Sequence, residues 1–163
     1  ASGGSIGSAR PERPTNPEKP NVEKLTWEKT NGVWKLKGAN GKYVTGWKKI
    51  GGNWYYMNND AVMQKGWQEI NGRWYYLKDS GAMATGWVRV GSNWYYLNEN
   101  GAMKTGWQKL GNTWYYLQSS GAMATGWKWI GSKCYYFDAS GKMAVNTTIN
   151  GYSVNANGEY VSR

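Results

Sequence analysis

Histidine is absent from this sequence, cysteine and phenylalanine occur once each, and the four prolines all fall within the first twenty residues. Without histidine the chain lacks the most frequent general base and the most frequent metal ligand. A single thiol, Cys134, excludes an intramolecular disulfide, so the fold must stand on packing, and cysteine usage does not mark a redox compartment. No apolar run approaches bilayer-spanning length, and no signal-peptide core is legible at the N-terminus. Long aliphatic residues are too few for a Leu/Ile/Val core.

What the chain has instead is 12 Trp, 13 Tyr and 23 Gly among 163 residues. Glycine at this density predicts many tight turns rather than long helices. The net charge is +10, and its placement matters. Residues 1–49 carry ten Lys/Arg against four Glu, and the remainder carries ten against six acids. The aromatic-rich part is therefore only mildly basic. Stacking platforms for single-stranded nucleic acid sit in strongly cationic grooves, so no nucleic-acid partner is expected.

Residues 1–26 are rich in Pro, Gly and Ser and read as a flexible linker or an appended remnant. From Trp27 the chain is periodic. Gly-Trp recurs at 46–47, 66–67, 86–87, 106–107 and 126–127, and Trp-Tyr-Tyr at 54–56, 74–76, 94–96 and 114–116, with Cys-Tyr-Tyr at 134–136. Met recurs at 63, 83, 103, 123 and 143. A fixed twenty-residue period predicts an all-β solenoid or superhelix of stacked β-hairpins over 27–163. It divides into a degenerate N-terminal unit (27–45), five repeats (46–145) and a C-terminal capping hairpin (146–163).

Turn chemistry sets the register. Gly51-Gly52, Asn71-Gly72, Gly91-Ser92, Gly111-Asn112 and Gly131-Ser132 suit two-residue primed turns. Ile50 then pairs with Asn53, Lys49 with Trp54, Lys48 with Tyr55 and Trp47 with Tyr56. Side chains alternate between faces, so Ile50, Tyr55 and Met57 share one face and Trp47, Trp54 and Tyr56 the other. Positions 50 and 57 stay apolar in every copy and read as core. The opposite face carries three rings per unit.

Those rings have two readings. They are further core, since aromatic side chains bury large areas. Alternatively they form cages. The repeated choice of Trp and Tyr over Phe favours faces that attract a cation. A quaternary ammonium donates no hydrogen bond, so ring faces and desolvated methyl contacts must hold it. A flat sugar face stacking on Trp is the competing ligand.

Gly-Trp, then Trp-Tyr-Tyr seven residues on, Gly-Ala-Met and Thr-Gly-Trp resemble the choline-binding repeats of pneumococcal-type cell-surface proteins. The ending Ala-Val-Asn-Thr-Thr-Ile-Asn-Gly-Tyr-Ser-Val-Asn-Ala-Asn-Gly-Glu-Tyr-Val (144–161) resembles the tails of such proteins. The resemblance implies a left-handed superhelix that binds choline or phosphocholine of teichoic and lipoteichoic acids between consecutive hairpins. It implies attachment outside the cell, at the bacterial cell wall, without membrane insertion, and it allows a homodimer.

Carried over, each cage takes two Trp of one hairpin and the second Tyr of the next. The cages are Trp47, Trp54 and Tyr76; Trp67, Trp74 and Tyr96; Trp87, Trp94 and Tyr116; and Trp107, Trp114 and Tyr136. Trp27, Trp34 and Tyr56 are a candidate extra cage in the degenerate unit. Met83, Met103, Met123 and Met143 are apolar walls or gap-filling core residues. The Trp127 unit has Cys134 in place of its second Trp, so no cage is expected there.

Two rivals remain. Glucan-binding and clostridial-toxin repeats share the hairpin pattern and bind carbohydrate, but typically lack the Trp of Trp-Tyr-Tyr. An enzyme is not expected: no paired acid/base set, metal cluster or phosphate loop recurs, and neither cofactor nor metal is implied. A catalytic domain would lie upstream in the parent protein.

Overall fold

The structure, a computed structural model, describes residues 24–162. The expected linker, apart from its last three residues, lies outside them. The described residues are all-β. Six hairpins pair β1 (Thr26–Thr30) with β2 (Val33–Lys37), β3 (Gly46–Ile50) with β4 (Asn53–Met57), β5 (Gly66–Ile70) with β6 (Arg73–Leu77), β7 (Gly86–Val90) with β8 (Asn93–Leu97), β9 (Gly106–Leu110) with β10 (Thr113–Leu117), and β11 (Gly126–Ile130) with β12 (Lys133–Phe137). The C-terminal cap is more than the expected hairpin. β13 (Thr147–Ile149), β14 (Tyr152–Val154) and β15 (Tyr160–Val161) form a three-stranded sheet.

Register follows turn chemistry. In β3–β4, Ile50 pairs with Asn53, Lys49 with Trp54, Lys48 with Tyr55 and Trp47 with Tyr56, as the two-residue turn predicts. β5–β6, β9–β10 and β11–β12 repeat this pairing. Two turn forms achieve it. Asn71 and Gly72 both adopt positive φ, 54° and 79°, the requirement of a type I′ turn. At Gly111-Asn112 only the glycine does, at 63°, as in type II′ turns.

The chain divides into two compact units, one of residues 24–86 with 97–103, the other of 87–96 with 104–162. Within each, one backbone hydrogen bond recurs from hairpin to hairpin. The Met63 N–H donates to the Trp34 carbonyl, Met83 to Trp54 and Met103 to Trp74, each at 2.8 Å. In the second unit Met123 donates to Trp94 at 2.8 Å and Met143 to Trp114 at 3.0 Å. A lone two-stranded hairpin is marginally stable, and these links tie each one to its predecessor. The connecting loops are braced by side-chain caps: the Asn58 Oδ1 accepts from the N–H groups of Asp60 and Val62, and Asn98, Asp138 and Asn155 do the same in their loops.

Each hairpin buries one apolar side chain at or next to the end of its second strand. Met57, Leu77, Leu97, Leu117 and Phe137 each end that strand and are fully buried, and so is Leu36, one residue before the end of β2. Each contributes about 1.5–3 kcal/mol by leaving water. The other apolar position is less protected. Ile70 is buried, while Ile50, Val90, Leu110 and Ile130 are half-buried.

Methionine and glycine interlock within each unit. A Cβ added at Gly81 would overlap Met63 Sδ, and the same relation holds for Gly101 with Met83, Gly141 with Met123 and Gly158 with Met143. The exception explains itself. Ala61 holds the corresponding loop position at φ 64°, and the residue one period before Met63 is Tyr43, which lies exposed. The Tyr43 hydroxyl donates to Glu28 at 2.7 Å. That bond, with the Lys37 ammonium 2.9 Å away, holds the Glu28 carboxyl below its ordinary range.

Gly81→Ala combines a left-handed backbone with loss of the methionine's seat, so it should lower the unfolding free energy measured in urea by about 2 kcal/mol or more. Ala61→Gly should raise it by about 0.5–1 kcal/mol, because only backbone strain is removed. Equal effects from the two variants would show that the methionine contact contributes nothing.

Candidate functional site

Each cluster starts from two indoles on one face of a hairpin, diagonal neighbours across the strand pair. They stand almost perpendicular: Trp27 and Trp34 at 6.1 Å and 87°, Trp47 and Trp54 at 6.4 Å and 84°, Trp67 and Trp74 at 6.5 Å and 79°, Trp107 and Trp114 at 6.0 Å and 90°. A third ring arrives from the next hairpin. It is Tyr55 against Trp27 at 5.0 Å, Tyr75 against Trp47 at 5.0 Å, Tyr115 against Trp87 at 5.1 Å and Tyr135 against Trp107 at 4.8 Å.

This third ring is the first tyrosine of the Tyr pair, not the expected second. Tyr56, Tyr76, Tyr96, Tyr116 and Tyr136 instead pack on the Trp of their own hairpins, at 5.1 Å from Trp47, Trp67, Trp87, Trp107 and Trp127. The reason is directional stacking. A hairpin turns its Trp face toward its successor, and the successor meets it with the opposite face, where Ile50, Tyr55 and Met57 lie. Hence Trp27 packs with Ile50, Tyr55 and Met57, and Trp47 with Ile70, Tyr75 and Leu77. Face alternation alone, combined with stacking in one sense, identifies Tyr55 and Tyr75.

The structure brings Trp47 to Trp54, Trp67 to Trp74 and Trp107 to Trp114, and against Trp27, Trp47, Trp87 and Trp107 it places the first tyrosine of the next hairpin rather than the second. Trp94 lies on β8 with its ring exposed, and Trp87 takes Tyr115 rather than Tyr116. In the degenerate N-terminal unit, Trp27 and Trp34 are completed by Tyr55 rather than Tyr56. Methionine serves both expected roles: Met143 lines a cavity and also seats against Gly158, and Met63 lines another and seats against Gly81.

Two clusters enclose hollows of similar size. About 290 Å³ lies among Trp27, Trp34, Tyr55, Met63 and Ser80, and about 290 Å³ among Trp107, Trp114, Tyr135, Met143, Asn157 and Glu159. These lie at the small end of ligand pockets, suited to a compact head group. The Trp47 cluster is tighter, with Trp47 9% and Tyr75 1% exposed, and the Trp47 Nε1–H is buried without a partner. There the inner rings act chiefly as core. A third hollow, of about 310 Å³, lies at the Trp127 unit, where no cage was expected: Trp127, Trp129, Cys134, Tyr152 and Tyr160 line it.

Charge differs among the clusters. Lys29 and Lys109, which pair across the ladder with Trp34 and Trp114, place their ammonium groups 5.9 Å from those rings. The Trp107 cavity has a carboxylate in its wall, Glu159, where earlier loops carry Ala82, Ala102, Ala122 and Lys142. Burial, and secondarily the Glu159 charge, push the Tyr135 phenol above its ordinary range, so it remains neutral. Perpendicular ring faces with few donors can hold a cation that offers no hydrogen bond.

Fold and rings together define a hairpin-repeat binding module with aromatic cages. The choline-binding repeat family profile matches residues 44–85, 84–125 and 104–147, and the chain belongs to that family. No curated protein sequence matches the chain. Solved structures are similar. Choline-binding protein F from Streptococcus pneumoniae is 46% identical, with a TM-score of 0.80 over 86% of this chain and 48% of that one. CbpJ from Streptococcus pneumoniae is 44% identical, with a TM-score of 0.66 over 85% and 58%. The pneumococcal cell wall endolysin from phage Cp-1, solved with choline, is 39% identical, with a TM-score of 0.55 over 82% and 38%. The chain thus spans about half the length, or less, of most of these relatives.

Inner and outer rings should separate in stability. Tyr75→Ala empties a buried site and should cost about 3–5 kcal/mol in urea unfolding. Trp114→Ala, at a ring 39% exposed, should cost about 1 kcal/mol or less. Similar losses from both would mean the outer indole is a packing residue.

Proposed function

We propose that this chain is a non-catalytic attachment module that binds phosphocholine groups of teichoic and lipoteichoic acids at several cages at once, holding its parent protein on the bacterial cell surface. The observation that carries this reading is the repeated three-walled hollow, two perpendicular indoles closed by a tyrosine of the next hairpin. Family membership makes choline the ligand, and the related endolysin solved with choline supports it. Lys29 and Lys109, beside the outer rings, would meet the phosphate that adjoins the quaternary nitrogen. Catalysis, where the parent protein has it, belongs to another domain.

Each well-desolvated ring contributes about 2 kcal/mol to a cation over its face. After the costs of association, one cage should hold free choline at a Kd on the order of millimolar. A polymer carrying many phosphocholines engages several cages, and the raised effective concentration gains roughly 100-fold or more.

Choline should therefore change the Trp fluorescence with a half-effect in the low millimolar range, while glucose oligomers at the same concentration leave it unchanged. The chain should be retained on phosphocholine resin, released by free choline, and pass through phosphoethanolamine resin. A flat choline titration, or a response to the oligosaccharide instead, would refute the proposal in favour of glucan binding.

The Glu159 carboxylate adds attraction at one cavity. Glu159→Gln should weaken the tightest class of sites in a calorimetric choline titration about 2- to 5-fold at low salt, and by less in 1 M salt. An unchanged isotherm would show that the carboxylate does not reach the bound cation.

A further inference from the structure

The C-terminal hollow keeps the inner Trp127 and departs from the repeat at Trp129, Cys134 and Tyr160. In β11–β12 the residue opposite Cys134 is Trp129. The corresponding cross-strand pairs elsewhere are Lys29 with Trp34, Lys49 with Trp54, Glu69 with Trp74 and Lys109 with Trp114. The indole missing at 134 has been replaced from the facing strand. Directly opposed residues project from the same face, so Trp129 still stands on the side of Trp127.

The remaining walls come from the cap. Tyr152 on β14 lies 6.0 Å from Trp127 at 80°, Tyr160 on β15 lies 6.3 Å from it at 89°, and the two tyrosines are 6.0 Å apart at 60°. The three centroids make a nearly equilateral triangle. Elsewhere the inner Trp and the Tyr stand about 5 Å apart and the two Trp between 6.0 and 6.5 Å apart. The third cap strand supplies a ring that a simple hairpin would lack. Trp129 stands 72% exposed, so it contributes little to packing and keeps its indole available at the lip. No acidic or basic side chain is among the residues lining this hollow.

We propose that Trp127, Trp129, Tyr152 and Tyr160 form an additional binding site for a quaternary ammonium group, with the Cys134 side chain in its wall. Three or more ring faces within about 6 Å of a common centre supply the attraction such a cation needs. The small, polarizable sulfur in place of an indole leaves room for the methyl groups. The proposal rests on the choline reading of the repeats, but it makes a claim about residues outside their pattern.

Cys134 is the sole cysteine of the chain, so it reports on this hollow alone. Alkylation of the full chain by iodoacetamide, an uncharged reagent, should be followed by mass spectrometry with and without choline chloride, using equal sodium chloride as the control. Choline should slow modification at least several-fold, with a half-effect in the low millimolar range. In Trp129→Ala, which alters an exposed side chain, the ratio of rates with and without choline should approach one, while the fluorescence response of the other cages persists. Three results would overturn the site: a rate unchanged by choline at concentrations that saturate the fluorescence response, full protection retained in Trp129→Ala, or a thiol that does not react in the free protein. Absence of the fluorescence response would instead remove the choline reading of the whole module, and the site with it.

Discussion

The hydrogen bond from a methionine N–H to the carbonyl of the outer tryptophan one hairpin earlier governs both the packing and the sites. It belongs to the backbone and recurs with nearly constant length, so it fixes the spacing between consecutive hairpins inside each unit. That spacing is close enough for Leu77 and its counterparts to lose all contact with water, and wide enough to leave hollows between indoles. The methionine that donates this bond also places its sulfur where the glycine of the following loop has no Cβ. Loop, core residue and ring cluster are thus set by one contact repeated within each unit.

Stability and binding divide the aromatic residues between them, and the division is visible in burial. The second Tyr of each pair backs the inner Trp of its own hairpin, and the first Tyr of the next hairpin closes on the same indole. An inner Trp therefore touches rings on more than one side whether or not a ligand is present. The outer Trp carries the open face. A module built this way is largely preformed, so little of the cation's attraction is lost to reordering side chains. The same economy accounts for the scarcity of aliphatic residues: rings of the proposed cages supply part of the core.

Clusters built on one pattern are nonetheless unequal. Trp47 and Tyr75 are nearly closed off, the Trp27 and Trp107 clusters remain hollow, and Glu159 lends one of them a negative wall. These differences arise in the loops and in the cap rather than in the Trp-Tyr-Tyr motif itself. Repeat proteins stack units that touch only neighbours, so a substitution in one loop tunes one site and leaves the rest alone.

Period, turn positions, strand pairing and the buried residue ending the second strand of each full repeat were legible from the order of residues, because a two-residue turn dictates register and register dictates which side chains share a face. Trp47 beside Trp54, and Leu77 in the core, follow from that alone. The choice between Tyr75 and Tyr76 does not, since it depends on which face each hairpin offers to its successor, a relation between units rather than within one. Cys134 shows the same limit in another form. Position 134 lacks the repeat's second indole, yet Trp129 stands directly across the ladder and Tyr152 and Tyr160 of the cap line the same hollow. Local periodicity determines what each hairpin is, and only the stacking of one on another decides which rings enclose a space, because that space belongs to neither hairpin alone.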